Sequence, residues 1–236
     1  MLNRLRTLFS VHESHPLLEK NSTYFEQFDQ SIRLEDCSFV VFDTELTGLN
    51  KRKDEIIAIG AVRIDNLRIV LNETFYSYAK PKNLEPRQST LVHRITPEQL
   101  KCAPELTEVL LQFVSFIEKS LLVGHFIGMD MAFLNRCTQE ILGGSLSNPC
   151  IDTMRMARGY KEARLVHCYG NCDHRESYRL EDLTTEFNLP RFKPHDALED
   201  ALQAAYLFLY LLQKLRRGGV STLRELYRAG RAAWLH

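Results

Sequence analysis

Two carboxylates one residue apart close a short apolar run, Phe39-Val40-Val41-Phe42-Asp43-Thr44-Glu45. Side chains alternate along a strand, so Asp43 and Glu45 project from one face, about 6 to 7 Å apart along the backbone, while Thr44 points to the other. Like charges at the end of an apolar strand repel unless they are protonated, solvated or shared by a hard divalent cation. Taken alone, a solvated acidic turn explains the pair equally well. A third acid, Asp130, stands in Gly124-His125-Phe126-Ile127-Gly128-Met129-Asp130, where an apolar strand passes through a glycine turn into a helix. Its plain alternative is compensation of the helix dipole. The last group is Pro194-His195-Asp196-Ala197-Leu198-Glu199-Asp200, which opens the longest helical stretch. Asp196 is placed to cap that helix and Glu199 to face solvent, which leaves Asp200, among Ala197, Ala201 and Ala204, as the acid that reaches inward. His195 would swing off the N-terminal end.

The elements that must bring these residues together are legible in outline. Strand patterns run over 38–42, 55–64 and 68–78 and are joined by short polar turns, so an antiparallel meander is expected. Helical spacing over 105–119 precedes a short buried strand at 121–123, and a helix over 129–142 stops at Gly143-Gly144. A short strand at 150–152 leads to a helix near 154–158, a polar loop over 161–177 and a helix over 179–187. The long helix follows over 197–216, and a last amphipathic helix over 221–234. Before residue 38 the chain is polar and mixed, with helical pieces near 2–9 and 24–28. This order predicts an α/β fold, a mixed sheet with helices on its faces. Three segments are expected: an N-terminal extension (1–37), one main domain (38–217) and a C-terminal helical tail (218–236).

Composition narrows the class. With 236 residues, 44% of them hydrophobic, the chain can bury one sizeable core without staples. Its 6 cysteines therefore read as reduced thiols of a cytoplasmic protein rather than a disulfide framework. No secretory signal and no apolar stretch long enough for a membrane span is expected. The balance of 30 basic and 30 acidic residues supplies no global field to coat a duplex. Local cations such as Lys51, Arg52 and Lys53, just past the acidic pair, suit a site that grips one strand end. His167, Cys168, Cys172 and His174 offer four soft ligands for zinc, although their spacing departs from common zinc motifs.

Taken together, Asp43-x-Glu45, Asp130, and His195 with Asp200 five residues later resemble the three motifs of the DEDDh family of 3'→5' exonucleases. The proofreading subunit of DNA polymerase III resembles this core. The resemblance spans about 38–216 and includes Glu55-Ile56-Ile57-Ala58-Ile59-Gly60-Ala61-Val62, His93-Arg94-Ile95-Thr96 and Ile151-Asp152-Thr153. It implies a ribonuclease H-like fold with a mixed five-stranded sheet and helices on both faces. It also implies two divalent ions, Mg²⁺ or Mn²⁺: Asp43, Glu45 and Asp200 would hold one, and Asp43 with water-mediated help from Asp130 the second. His195 would be the general base, in keeping with an imidazole's titration near neutral pH. The substrate implied is the 3' end of a single-stranded nucleic acid, with DNA ahead of RNA, and the product a nucleoside 5'-monophosphate. Thr44, Leu46 and Thr47 would border the nucleotide, His93 would approach it, and Phe133 would serve either as an apolar wall or as plain core. Leu46, Arg94 and Phe126 depart from the family's usual residues without removing a metal ligand. A homodimer and a polymerase partner both stay open at this point. The rival from another class, a module that binds nucleic acid or protein without catalysis, predicts a missing ligand, and none is missing.

Overall fold

The computed structural model describes residues 13–84, 93–165 and 177–232. Its first helix, α1 (Pro16–Glu26), has proline in its opening turn and a cap in which His15 Nδ1 accepts from Leu17 N–H. A single 3₁₀ turn (Leu34–Asp36) leads into β1 (Phe39–Leu46), β2 (Ile56–Asp65) and β3 (Arg68–Tyr78), the expected antiparallel meander. Asn66 and Leu67 close the β2–β3 hairpin with φ of 50° and 57°, the left-handed pair that a two-residue turn matching strand twist requires. The remaining elements are α2 (Pro97–Lys101), α3 (Leu106–Ile117), β4 (Leu121–Gly124), α4 (Gly128–Leu142), β5 (Cys150–Asp152), α5 (Thr153–Leu165), α6 (Leu180–Glu186), α7 (Ala197–Arg217) and α8 (Leu223–Ala232).

The sheet has 5 strands in the order β3-β2-β1-β4-β5, with β4 and β5 joining β1 in parallel. β1 is central and covered on both sides, so its apolar residues alternate between two cores. Phe39 and Val41 pack with Met156, Leu183, Leu207, Phe208 and Leu211 from α5, α6 and α7. Val40 and Phe42 pack with Leu18, Leu110, Phe113, Phe133 and Leu134 from α1, α3 and α4. Each such side chain withdrawn from water contributes about 1.5–3 kcal/mol, which fixes the register of β1 and with it the facing of the acids that follow. Segments outside 38–217 share in both cores through Leu18, Leu34, Leu223 and Leu226. No helix among the described residues is long and apolar enough to cross a membrane.

Several local expectations shift. The helix expected near 154–158 runs from Thr153 to Leu165, into what the polar composition of 161–165 marked as loop. Polarity there belongs to ion pairs along the helix, Arg158–Glu162 at 2.7 Å and Lys161–Glu186 across to α6. α2 was not anticipated, although Thr96 and Gln99 form a reciprocal capping box that the sequence displays. The helix near 24–28 is the end of α1 and lies over 16–26. The helical piece at 2–9 and the cysteine–histidine group at 167–174 lie outside the described residues. Cys37, Cys102, Cys137 and Cys150 are free thiols.

Candidate active site

Strand alternation decides which helix each acid meets. Asp43 and Glu45 continue the Phe39–Val41 face and look towards α7, whereas Thr44 continues the Val40–Phe42 face and looks towards α4. A register shift after Glu45 ends the regular pairing with β2. α7 reaches the two acids because β2 offers it no side chain at the crossing. Gly60 is in register with Asp43, and a Cβ on it would stand 2.2 Å from the carbonyl carbon of Ala197 and the nitrogen of Leu198. The helix thus rests on strand backbone, and Asp200 is delivered to Asp43 and Glu45. One carboxylate oxygen from each of the three residues lies within 4.8 Å of the others.

The segment before α7 is held by the helix's own side chains. Asp196 caps it, accepting from Leu198 and Glu199 N–H at 3.1 and 3.3 Å. Glu199, expected to face solvent, folds back to accept Lys193 N–H at 2.9 Å. Gln203 accepts Phe192 N–H at 3.0 Å and donates to the Pro190 carbonyl at 2.7 Å. Asp200 accepts His195 N–H at 2.8 Å. His195 is exposed, with φ of 64°, so the fold holds a non-glycine residue in the left-handed region where its ring stands at the lip of the acidic cluster.

Asp130 enters from the opposite side of the sheet. It is buried, and its Oδ1 accepts from Thr44 N–H at 3.2 Å and from the Thr44 hydroxyl at 2.5 Å. These bonds fix Asp130 beside Asp43 while leaving it out of the three-carboxylate cluster. A second tie runs from α4 to the turn after β1: Arg136 donates to the carbonyls of Lys51 and Asp54, with its guanidinium 5.1 Å from the centre of the Phe133 ring. The sequence reading missed Arg136. A helical arginine three residues after a buried phenylalanine is a faint signal, because its partners are backbone atoms more than 80 residues away.

Burial, with repulsion from neighbouring acids, raises the carboxylates of Asp43, Glu45, Asp130 and Asp200. Asp43 stands well above the usual range because it is buried, and Asp130, Asp200 and Glu45 add to the shift. Burial, then Asp200, Asp196 and Asp130, lift Glu45 to about 8. Asp130 and Asp200 rise to about 6, again through burial, opposed by hydrogen bonds from Thr44 and from His195 respectively. Among the described residues no lysine or arginine pairs with Asp43, Glu45 or Asp200. Oxygen-only donors, crowded and unpaired with any lysine or arginine among the described residues, fit a hard divalent cation.

The other candidate residues fall into two groups. His93 is buried, its Nδ1 accepting Ile95 N–H at 3.0 Å, and burial, then the charge of His195, lowers its pKa. Leu46 is half-buried at the rim beside the Phe42 core, and Thr47 reaches the residue before β2, where its hydroxyl accepts Glu55 N–H at 2.9 Å. Thr44 is turned to Asp130, and Phe133 is fully buried in the α4 core.

An acidic cluster on a central strand, completed from the start of a helix that His195 precedes and flanked by a fourth acid, has the make-up of a DEDDh-type nuclease centre. A family model described as an exonuclease matches residues 40–208, and the chain belongs to that exonuclease family. It is 30% identical over 184 residues to the DNA polymerase III subunit epsilon of Aquifex aeolicus, an alignment covering 76% of this chain and 83% of that protein. It is 31% identical over 218 residues to the PolC-type DNA polymerase III of Thermotoga petrophila, covering 92% of this chain but only 14% of that polymerase. Among solved structures the fold matches E. coli Exonuclease I in complex with a dT13 oligonucleotide. That match has a TM-score of 0.64 and 21% identity, over 77% of this chain and 42% of that one. Exonuclease X in complex with 5' overhanging duplex DNA matches at a TM-score of 0.55 and 22% identity, over 75% and 92% of the respective chains. The mixed sheet with helices on both faces is therefore the ribonuclease H-like fold of these nucleases.

Proposed function

We propose that this chain is a metal-dependent 3'→5' exonuclease that releases nucleoside 5'-monophosphates from the 3' end of single-stranded DNA. The observation that carries this reading is the juxtaposition of Asp43, Glu45 and Asp200 within 4.8 Å, with no described lysine or arginine paired to them. These three residues would hold a divalent ion, Mg²⁺ or Mn²⁺, and Asp130 would support a second beside Asp43. When bound, such ions supply Lewis acidity that offsets the charge developing on the phosphate. Asp43 and Glu45 present their oxygens from a central strand and Asp200 from a helix resting on that sheet, so the site is built on rigid elements. His195, at the lip, takes the proton of the attacking water as its oxygen bonds to phosphorus. The phosphorus–O3' bond breaks, the leaving O3' oxyanion takes a proton from solvent, and the shortened strand keeps a new 3' hydroxyl. Lys51, Arg52 and Lys53, exposed on the turn that Arg136 anchors, lie where they can meet strand phosphates. The names of the two curated relatives reported above, a DNA polymerase III and a DNA polymerase III subunit, support DNA over RNA. The match over 40–208 supports a nuclease domain of 38–217, with 1–37 as its extension and 218–236 as its helical tail.

The test is to incubate the protein with Mn²⁺ and 5'-labelled DNA or RNA oligonucleotides of one sequence. A DNA ladder shortening from the 3' end, abolished by chelator, is the expected result. Asp200→Ala should slow it by roughly a thousandfold, the equivalent of several kcal/mol of lost charge stabilisation, with an unchanged circular dichroism spectrum. Undiminished trimming by Asp200→Ala would remove the metal assignment, and faster trimming of RNA would reverse the substrate.

A further inference from the structure

The strand rows that carry the acids continue outward to the sheet edge. Asp43 is in register with Gly60 and Gly60 with Tyr76, while Glu45 is opposite Ala58 and Ala58 opposite Tyr78. Residues opposite one another on antiparallel strands share a face, so both tyrosines belong to the carboxylate face. The start of α7 lies over Gly60, between them and Asp43. Tyr78 is fixed: its hydroxyl accepts from Gln99 Nε2 at 3.4 Å, and it packs with the cluster that includes Ile95 and Ala197. Tyr76 meets it edge to face, with ring centres 5.3 Å apart, yet remains 39% exposed. The phenol of Tyr76 is close enough to Asp196 and Glu45 for their charge to add to the upward shift that burial begins. Arg94, exposed and with φ of 60°, directly precedes Ile95, which packs in the cluster that Tyr78 joins.

An exposed ring on an edge strand stabilises little by itself. A braced aromatic face on the same strand rows as a nuclease centre, with an exposed arginine on the segment that packs against it, has the composition that binds single-stranded nucleic acid by stacking and phosphate contact. Two strand spacings separate Tyr76 from Asp43, about 10 Å, which is beyond the phosphate being cleaved and within reach of the nucleotides that precede it. We infer that Tyr76, held by Tyr78, is a stacking platform for a base upstream of the scissile nucleotide, with Arg94 as the cation for the adjoining phosphate. The inference deepens the exonuclease reading and rests on it.

Steady-state trimming of DNA strands of increasing length, with Mn²⁺, separates the two. Tyr76→Ala should raise KM for a decanucleotide about tenfold, the scale of one lost base–aromatic stack, with a smaller change in kcat and a smaller effect on a dinucleotide. Tyr76→Phe, which keeps the ring, should restore most of the loss. Arg94→Gln should weaken decanucleotide binding and reduce its dependence on salt. An unchanged decanucleotide KM in Tyr76→Ala, or equal losses on short and long strands, would overturn the platform. So would a sedimentation experiment in which the higher KM accompanies dissociation of a dimer, because the patch would then join two copies of the chain. Wild-type protein inactive on every length would instead overturn the exonuclease reading, and the platform with it.

Discussion

Thr44 separates the two acids of β1 in sequence and in space, and its outward turn is what brings Asp130 to the site. A strand that sent all three residues to one face could not collect acids from helices on both sides of a sheet. His125 has a comparable structural part. Its ring spans from Thr153 Oγ1 to the Tyr178 carbonyl, each at 2.8 Å, and so ties β4 to the start of α5 and to the chain entering α6. Burial lowers its pKa to about 4, against a smaller upward effect of the Tyr178 carbonyl. The folded protein therefore keeps this ring neutral where the unfolded chain protonates it. The resulting stability is complete above the ordinary histidine value of about 6.5 and is lost as pH falls towards 4, an effect on the order of 3 kcal/mol. Urea unfolding at pH 7 and pH 4.5 should show this loss in the wild type and a smaller one in His125→Gln. Parallel losses in both proteins would show that the ring does not carry it.

The contact between α7 and β2 is where one element's position sets the chemistry of another. Gly60→Ala would place a methyl group against the first turn of α7. Relief requires the helix to lift, at about 1–3 kcal/mol, and Asp200 moves with it. A displacement near 1 Å between Asp200 and Asp43 should lower kcat roughly a hundredfold while thermal unfolding still shows a folded protein. An active Gly60→Ala variant would mean that the helix start is more yielding than its packing indicates. The sequence displayed the elements concerned more readily than their contacts. β1, β2, β3 and α7 announce themselves through apolar periodicity, and Asp196 through its cap spacing. The second half of α5 did not, because residues such as Lys161 and Glu162 have the composition of a loop until Glu186 is placed opposite. Nor could spacing foretell that Thr44 would bond Asp130, 86 residues away, or that Arg136 would grip the turn at Lys51. Phe133 illustrates the limit: its helical position fitted both core and substrate wall, and only the packing of α4 on β1 put it in the core.

At the scale of the whole molecule, a well-packed sheet keeps together acids that would separate if free to do so. Two cores, one on each face of β1, supply the stabilisation against which this repulsion is held, and sites of this kind trade stability for function. Asp43→Asn should therefore melt higher than the wild type in chelator, by about 2–4 °C for each kcal/mol of repulsion relieved. It should also lose the rise in melting temperature that Mn²⁺ gives the wild type. Equal melting of the two proteins in chelator would show that the acids are accommodated without cost.

The segment leading into α7 has a different consequence. Asp196, Glu199, Asp200 and Gln203 together hold the backbone of residues 190–199 by their own side chains. The conformational freedom of the histidine-bearing stretch is therefore surrendered once, when the chain folds, rather than at every encounter with a strand end. On the proposed function, each arriving strand end would meet an ordered partner, and the entropy of association would be spent on the nucleic acid alone.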